Sequence, residues 1–215
     1  MQHRTVSEVM TRRVVTVRPD TPFKEIARLL GDNDITAVPV VDGDNRPLGV
    51  VSEGDLLRNA ASLPDPEGRS TGPRLRPRDL ELAGAEDASA LMTAPPVTAR
   101  PAWSIAETAR TMSRRNVKRL PVVDETGRLV GIVSRGDLLR PFLRRDTAIK
   151  EEIHRDVLAG TLGLAPGSVR AEVREGVVTL TGRVTDVALV PVIERLCRSV
   201  DGVVAVHQRI GYTGD

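Results

Sequence analysis

Gly49-Val50-Val51-Ser52-Glu53-Gly54-Asp55-Leu56-Leu57-Arg58 returns 82 positions later as Gly131-Ile132-Val133-Ser134-Arg135-Gly136-Asp137-Leu138-Leu139-Arg140, with eight of the ten positions identical. The same offset carries Met10-Thr11 onto Met92-Thr93, Pro19 onto Pro101, and Pro39-Val40-Val41-Asp42 onto Pro121-Val122-Val123-Asp124. One constant offset means one folding unit used twice, without net insertion inside it. A twofold repeat packs as a pseudosymmetric pair, and such pairs make clefts at their shared interface.

Each repeat reads as strand, helix, strand, strand, helix. In the first, Val14-Val15-Thr16-Val17 is a β-branched run. Pro19-Asp20-Thr21-Pro22 then marks a turn and a helix start, with Thr21 as N-cap and Pro22 at the first helical position. Phe23, Ile26, Ala27, Leu29 and Leu30 follow at helical spacing, and Gly31 ends the helix. Val38–Val41 and Leu48–Val51 are strands around the turn-rich Asp42-Gly43-Asp44-Asn45, and Ser52 caps a last helix. The second repeat repeats this order with Val97, a Trp103–Met112 helix, Leu120–Val123, Leu129–Val133 and a helix from Ser134.

The pattern changes after the second repeat. Ile149, Ile153, Val157 and Leu158 form a helical stripe, and Val169–Val173 alternates as a strand. Glu175-Gly176 is a tight turn before Val177–Val184. A helix carrying Val187, Val190, Ile193, Leu196 and Cys197 follows, and Val203–Val206 is a last strand. The expected class is therefore α/β (α+β): two βαββα repeats packed as a pair and a small αββαβ domain. The expected domains are 1–60, a flexible Pro-, Gly- and charge-rich linker at 61–86, a second repeat at 87–145, and a separate domain at 147–211.

Composition excludes several functions. Phe23, Trp103, Phe142 and Tyr212 are the only aromatic residues of 215, so the core is aliphatic and a base-stacking platform for nucleic acid is not expected. A lone cysteine, Cys197, permits no internal disulfide and no zinc ligand set. No apolar run approaches the ~20 residues of a membrane helix, and no export signal is visible, so a cytoplasmic location is expected. His3, His154 and His207 lie in unrelated contexts, and no glycine-rich phosphate loop or Ser-His-Asp arrangement is found, so no enzyme, catalytic residue or metal site is expected.

Charge separates the repeats. Residues 87–145 hold eleven Lys/Arg against five Asp/Glu, whereas residues 1–60 hold eight against nine. Asp32-Asn33-Asp34-Ile35-Thr36-Ala37 corresponds to Arg114-Arg115-Asn116-Val117-Lys118-Arg119, and Glu53 to Arg135. A local excess of this kind favours an anionic ligand.

The repeats resemble CBS domains, which occur in tandem pairs as Bateman modules. The resemblance rests on the hydrophobic-Pro-Val-Val-Asp strand and the Gly-hydrophobic-Val-Ser-x-x-Asp-Leu-Leu segment, in that order. The tail resembles a BON domain through Glu175-Gly176-Val177-Val178-Thr179-Leu180-Thr181-Gly182 and Asp201-Gly202-Val203. The first resemblance implies regulatory binding of AMP, ADP or ATP, with S-adenosylmethionine or NAD as lesser alternatives, and a homodimer formed through the repeats.

The chemistry is legible beside the resemblance. A ribose presents two adjacent hydroxyls, and one carboxylate accepts both. Ser-x-x-Asp puts a hydroxyl and a carboxylate at a helix start, where free N–H groups favour anions. Ordinary helix capping would produce the same pattern. Carried over by position, one cleft would use Val15, Ile35, Thr36 and Ala37 with Ser134 and Asp137, and Lys118 and Arg119 on the phosphates. The other would use Ser52, Asp55, Val97 and Val117, and its acidic repeat makes it the weaker or emptier one. Val15 and Val97 also suit plain core, and Arg114 and Arg115 suit a solvated helix end. BON resemblance implies contact with an unidentified protein, or with phospholipid through Lys150, Arg155, Arg195 and Arg198. The function expected is a sensor passing ligand state to a partner; the alternative is a ligand-independent dimeric scaffold.

Overall fold

The computed structural model describes residues 4–61 and 85–213; the linker expected at 61–86 lies almost wholly outside the described residues. The chain forms two compact bodies, Thr5–Arg135, and Gly136–Asp215 together with Met1–Arg4. Among the described residues no helix is long and apolar enough to cross a membrane.

In the first body α1 (Val6–Val9), α2 (Phe23–Asp32), β1 (Ala37–Val41), β2 (Pro47–Ser52) and α3 (Glu53–Ala61) are matched by α4 (Ala88–Leu91), α5 (Ile105–Arg114), β3 (Arg119–Val123) and β4 (Leu129–Ser134). The helix α6 (Arg135–Leu139) begins at its last residue. β1–β2 and β3–β4 are antiparallel hairpins with equivalent registers, Ala37 opposite Ser52 and Arg119 opposite Ser134. The turns follow the sequence chemistry. Asp42 Oδ1 accepts from the amides of Asp44 and Arg46, and Asp124 Oδ1 accepts from those of Thr126 and Arg128. Bonds to the Thr126 hydroxyl and the Arg128 amide hold the Asp124 carboxyl below the usual carboxylate range.

The expected first strands are reduced to single bridges. Val17 alone pairs, parallel, with Val40, and in the second repeat the partner of Val122 is Ala99 rather than Val97. Thr21 does not cap α2; its hydroxyl accepts from the Arg18 amide at 2.9 Å, and Pro22 takes the cap position. The helix runs past Gly31 to Asp32. Equivalent Ser104 does cap α5, accepting from the Glu107 amide.

The repeats exchange their leading segments. Thr11 pairs with Ile132 in β4, and Thr93 pairs with Val50 in β2, each through two backbone bonds of 2.9–3.2 Å. Ala88 and Leu91 of α4 accordingly join the apolar core of the first repeat, with Val17, Ile26, Leu30, Val38, Val40, Val51 and Leu56. Glycine gives the crossing room: a Cβ on Gly49 would lie 2.5, 2.8 and 2.9 Å from Met92 Sδ, Cγ and Cβ, and one on Gly131 would lie 2.5 Å from the flexible end of Met10 at Sδ. One cross-repeat contact breaks the symmetry. The Leu129 amide donates to the Asn45 carbonyl at 2.8 Å, and Asn45 Nδ2 donates to the Leu129 carbonyl at 3.1 Å. The position equivalent to Leu129 is Pro47, which has no N–H to give.

The second body continues from α6 into a 3-10 helix (Arg140–Leu143), then α7 (Asp146–Glu152) and a π-helical stretch (Ile153–Thr161). β5 (Val169–Arg174), β6 (Val177–Val184), α8 (Leu189–Arg198) and β7 (Ala205–Tyr212) complete it. The sheet order is β5-β6-β7, with β6 and β7 parallel. α8 starts after Val187, which is exposed rather than on the helix's apolar side. The core is aliphatic and includes Ile149, Ile153, Leu180, Ile193 and Cys197. Burial pushes the Cys197 thiol up to about 12.

Candidate functional site

Ser52 and Ser134 end equivalent strands, and the next residue of each begins a helix. The amide following each serine turns back to the residue just before the first strand of its own hairpin: Glu53 N donates to the Thr36 carbonyl and Arg135 N to the Lys118 carbonyl, both at 3.1 Å. These bonds fix Thr36 beside Ser52 and Lys118 beside Ser134. Strand pairing sets Ala37 opposite Ser52 and Arg119 opposite Ser134, close enough for directly opposed side chains to meet.

The two sets are not independent. Arg119 Nη2 donates to the Thr36 hydroxyl, so a guanidinium of the second repeat lies against an oxygen of the first. Thr36, Lys118, Arg119 and Ser134, all named for one cleft, are thus brought together at the seam of the first body. Lys118 and Thr36 are exposed and Arg119 is half-buried. Ile35 and Val15 pack against the core of the first repeat and Ala37 is buried, so their apolar role is at least that of core. Val97 and Val117 are half-buried in the second repeat; their grouping with Ser52 and Asp55 is carried by sequence correspondence.

Both carboxylates are withdrawn from bulk water. Asp55 is 4% exposed and Asp137 7%. Asp55 Oδ2 accepts from the Ser52 amide at 2.8 Å and from the Ser52 hydroxyl at 2.6 Å, and its Oδ1 pairs with Arg58. Capping therefore occupies Asp55, as the simpler reading of Ser-x-x-Asp expects. Asp137 lies one turn beyond Ser134 in α6, with Arg140 Nη2 3.3 Å from its Oδ1. Arg58 and Arg140 were not among the expected residues. The signal was present in the repeated Asp-Leu-Leu-Arg, whose spacing of three puts acid and base on one helical face.

Arg114 ends α5 and Arg115 is its C-cap, both exposed, which places them where a helix dipole favours cations. In the second body three of the four basic residues expected for lipid contact are paired with acids. Lys150 pairs with Glu172 at 2.9 Å, Arg155 with Asp156 at 2.8 Å and Arg198 with Glu194 at 2.5 Å. His154 is half-buried between backbone groups, its Nδ1 2.8 Å from the Lys150 carbonyl and its Nε2 3.4 Å from the Ala171 amide.

The family model for the CBS domain matches residues 6–62 and 88–144, and that for the BON domain matches residues 145–214. Uncharacterised protein MJ1426 of Methanocaldococcus jannaschii is 30% identical over 153 residues, covering 64% of this chain and 90% of that protein. The crystal structure of CBSX2 of Arabidopsis thaliana in complex with AMP matches with a TM-score of 0.51 at 30% identity, covering 63% of this chain and 93% of that one. The CBS pair of protein MJ0100, solved with 5-methylthioadenosine and S-adenosylmethionine, shares the fold at 23% identity and a TM-score of 0.53, covering 66% and 97%.

Proposed function

The chain belongs to the CBS domain family and carries a BON domain after its CBS pair, and on that premise we propose that it is a non-enzymatic, cytoplasmic regulator that binds an adenosine-containing ligand between its repeats and passes this to a partner protein through the BON domain. The observation that carries the reading is the convergence of Thr36, Lys118, Arg119 and Ser134 at the repeat seam. Asp137 accepts the ribose hydroxyls in this reading, and Lys118 and Arg119 take the phosphates, so AMP, ADP and ATP are preferred over S-adenosylmethionine or NAD. Ile35, Ala37 and Val15 offer an apolar wall for the base. The second cleft, with Ser52, Asp55, Val97 and Val117, is the weaker one. The repeat that carries it has Asp32, Asp34 and Glu53 where the other has Arg114, Asn116 and Arg135. The AMP bound by CBSX2 supports the ligand class.

The assembly proposed is a homodimer through the helices of the repeats. Leu57 and Leu139, equivalent positions on α3 and α6, are 69% and 59% exposed, and a second copy of the chain would cover them in this reading.

The deciding experiment is a thermal-shift series on the full chain with AMP, ADP, ATP, S-adenosylmethionine and NAD, beside the absorbance of purified protein near 260 nm. AMP at 100 times its dissociation constant should stabilise the folded state by about 2.7 kcal/mol. Asp137→Ala should abolish the shift. A dimer that responds to none of the five compounds would favour the ligand-independent scaffold instead.

A further inference from the structure

We propose that the Asp201–Gly202 turn of the second body is the receiver of the state of Asp137, reached along one short helical rod. The inference rests on the reading of Asp137 as the ligand's acceptor and adds the route by which its occupancy is felt. α6 and the 3-10 helix run without a break, because Leu139 between them keeps helical backbone angles (φ −88, ψ −18). Asp137 lies in the first turn of this rod, and Pro141 and Arg144 lie at its far end.

The far end is gripped by one turn. Arg144 Nη1 donates to the Asp201 carbonyl at 3.1 Å while its Nη2 pairs with Glu152 at 2.7 Å. The Pro141 carbonyl approaches Gly202 so closely that a Cβ there would lie 3.0 Å from it, and 2.7 Å from Ile149 Cδ1. Gly202 also has φ +89, a conformation that side chains rarely adopt. Arg4 pairs with the Asp201 carboxylate. A single turn therefore holds both the residue that leads into the repeats and the segment that leaves them.

The nine-residue segment passes a displacement on because it is short and held at its far end by the buried Pro141, whose ring fixes its backbone angle though it gives no N–H to the turn before it, and by the two-armed Arg144. Movement of Asp137 towards a ribose then arrives at Arg144 and at the turn. Arg140, beside Asp137, rides on the same rod. Arg144 is a positioning residue in this scheme and touches no ligand.

Hydrogen exchange of residues 199–204 in the full chain tests the route, with and without AMP, in the wild type, Asp137→Ala, Arg144→Ala and the double variant. In the wild type AMP should slow exchange at the turn about fivefold or more, and Asp137→Ala alone should change it without any ligand. Arg144→Ala should abolish both responses while the protein still gives a thermal shift with AMP. Arg144→Gln replaces it should the alanine variant not fold. If AMP binds and neither AMP nor Asp137→Ala alters the turn, the route is overturned and the ligand reading stands. If AMP does not bind but Asp137→Ala still alters the turn through Arg144, the route stands and the ligand reading falls. Responses that survive in both Arg144 variants overturn the route.

Discussion

Arg119 donates from Nη2 to the hydroxyl of Thr36 across the seam between the repeats. A neutral hydroxyl is a weaker acceptor than a phosphate oxygen, so a nucleotide would draw the guanidinium away. Replacing Lys118 and Arg119 together by alanine is expected to weaken AMP binding about 10- to 100-fold while leaving adenosine binding nearly unchanged. Titration calorimetry with the two compounds measures both effects, and an equal loss for both would remove the two cations from the phosphate.

Gly49 and Gly131 are where the exchanged segments cross, with Met92 and Met10 laid over them. Gly49→Ala is expected to destabilise by about 1–3 kcal/mol, the range for overpacking a filled site. Around Gly49 the Met92 Cβ and Cγ would lie at 2.9 and 2.8 Å as well, so rotating the methionine's end does not relieve the clash. Adding Met92→Ala to Gly49→Ala should recover part of the loss, a non-additivity visible in denaturant titrations.

Asp55 joins the start of α3 to Ser52 and Arg58 inside the protein. Asp55→Ala is expected to cost about 2 kcal/mol of stability, since a cap and a buried partner vanish together. Asp55→Asn, which retains one accepting oxygen, should cost less. Neither should reduce AMP affinity if the other cleft is the nucleotide site.

Asp146 accepts from the amides of Glu175 and Gly176 at 2.7 and 3.0 Å, tying α7 to the β5–β6 turn. Asp146→Ala should lower the stability of the second body by about 2 kcal/mol, about 1 for each hydrogen bond lost. The loss should be confined to signals from that body, and a uniform loss across the chain would contradict the separation of the two.

Cys197 is buried, and its thiol is pushed up to about 12 from an ordinary 9.0 because burial disfavours the thiolate. A raised folded value contributes stability that is fully present below pH 9.0 and is lost as pH rises towards 12. Native protein at pH 8 should resist iodoacetamide, and denatured protein should be alkylated. Fast native labelling would show that the thiol is accessible.

The repeat, the hairpins and the order of elements were legible because each is local. The turn at Asp42–Asn45 and the alternation in Val169–Val173 depend on residues a few positions apart. The first strands were over-read: Val14–Val17 has strand composition, but just one of its residues, Val17, bridges to a neighbour. The exchange of Met10-Thr11 and Met92-Thr93 is not legible from the duplicated Met-Thr alone, because pairing with Ile132 and Val50 leaves no periodic trace. Among the candidate site residues, Ser134, Asp137, Lys118 and Arg119 follow from the repeat, the resemblance and the charge difference. The sequence could not foresee Arg119 meeting Thr36, or Asp55 being occupied by its own helix start, since both depend on side-chain direction after folding.

The exchanged segments also bear on how the chain is made. The first repeat is fully synthesised by residue 61, yet its core still lacks Ala88 and Leu91. During translation that half must wait, with apolar surface uncovered, until the second Met-Thr has left the ribosome. The nascent first repeat is therefore the species most in need of a chaperone, and a chain cut in the linker should yield two fragments that dissolve poorly alone and recover when synthesised together.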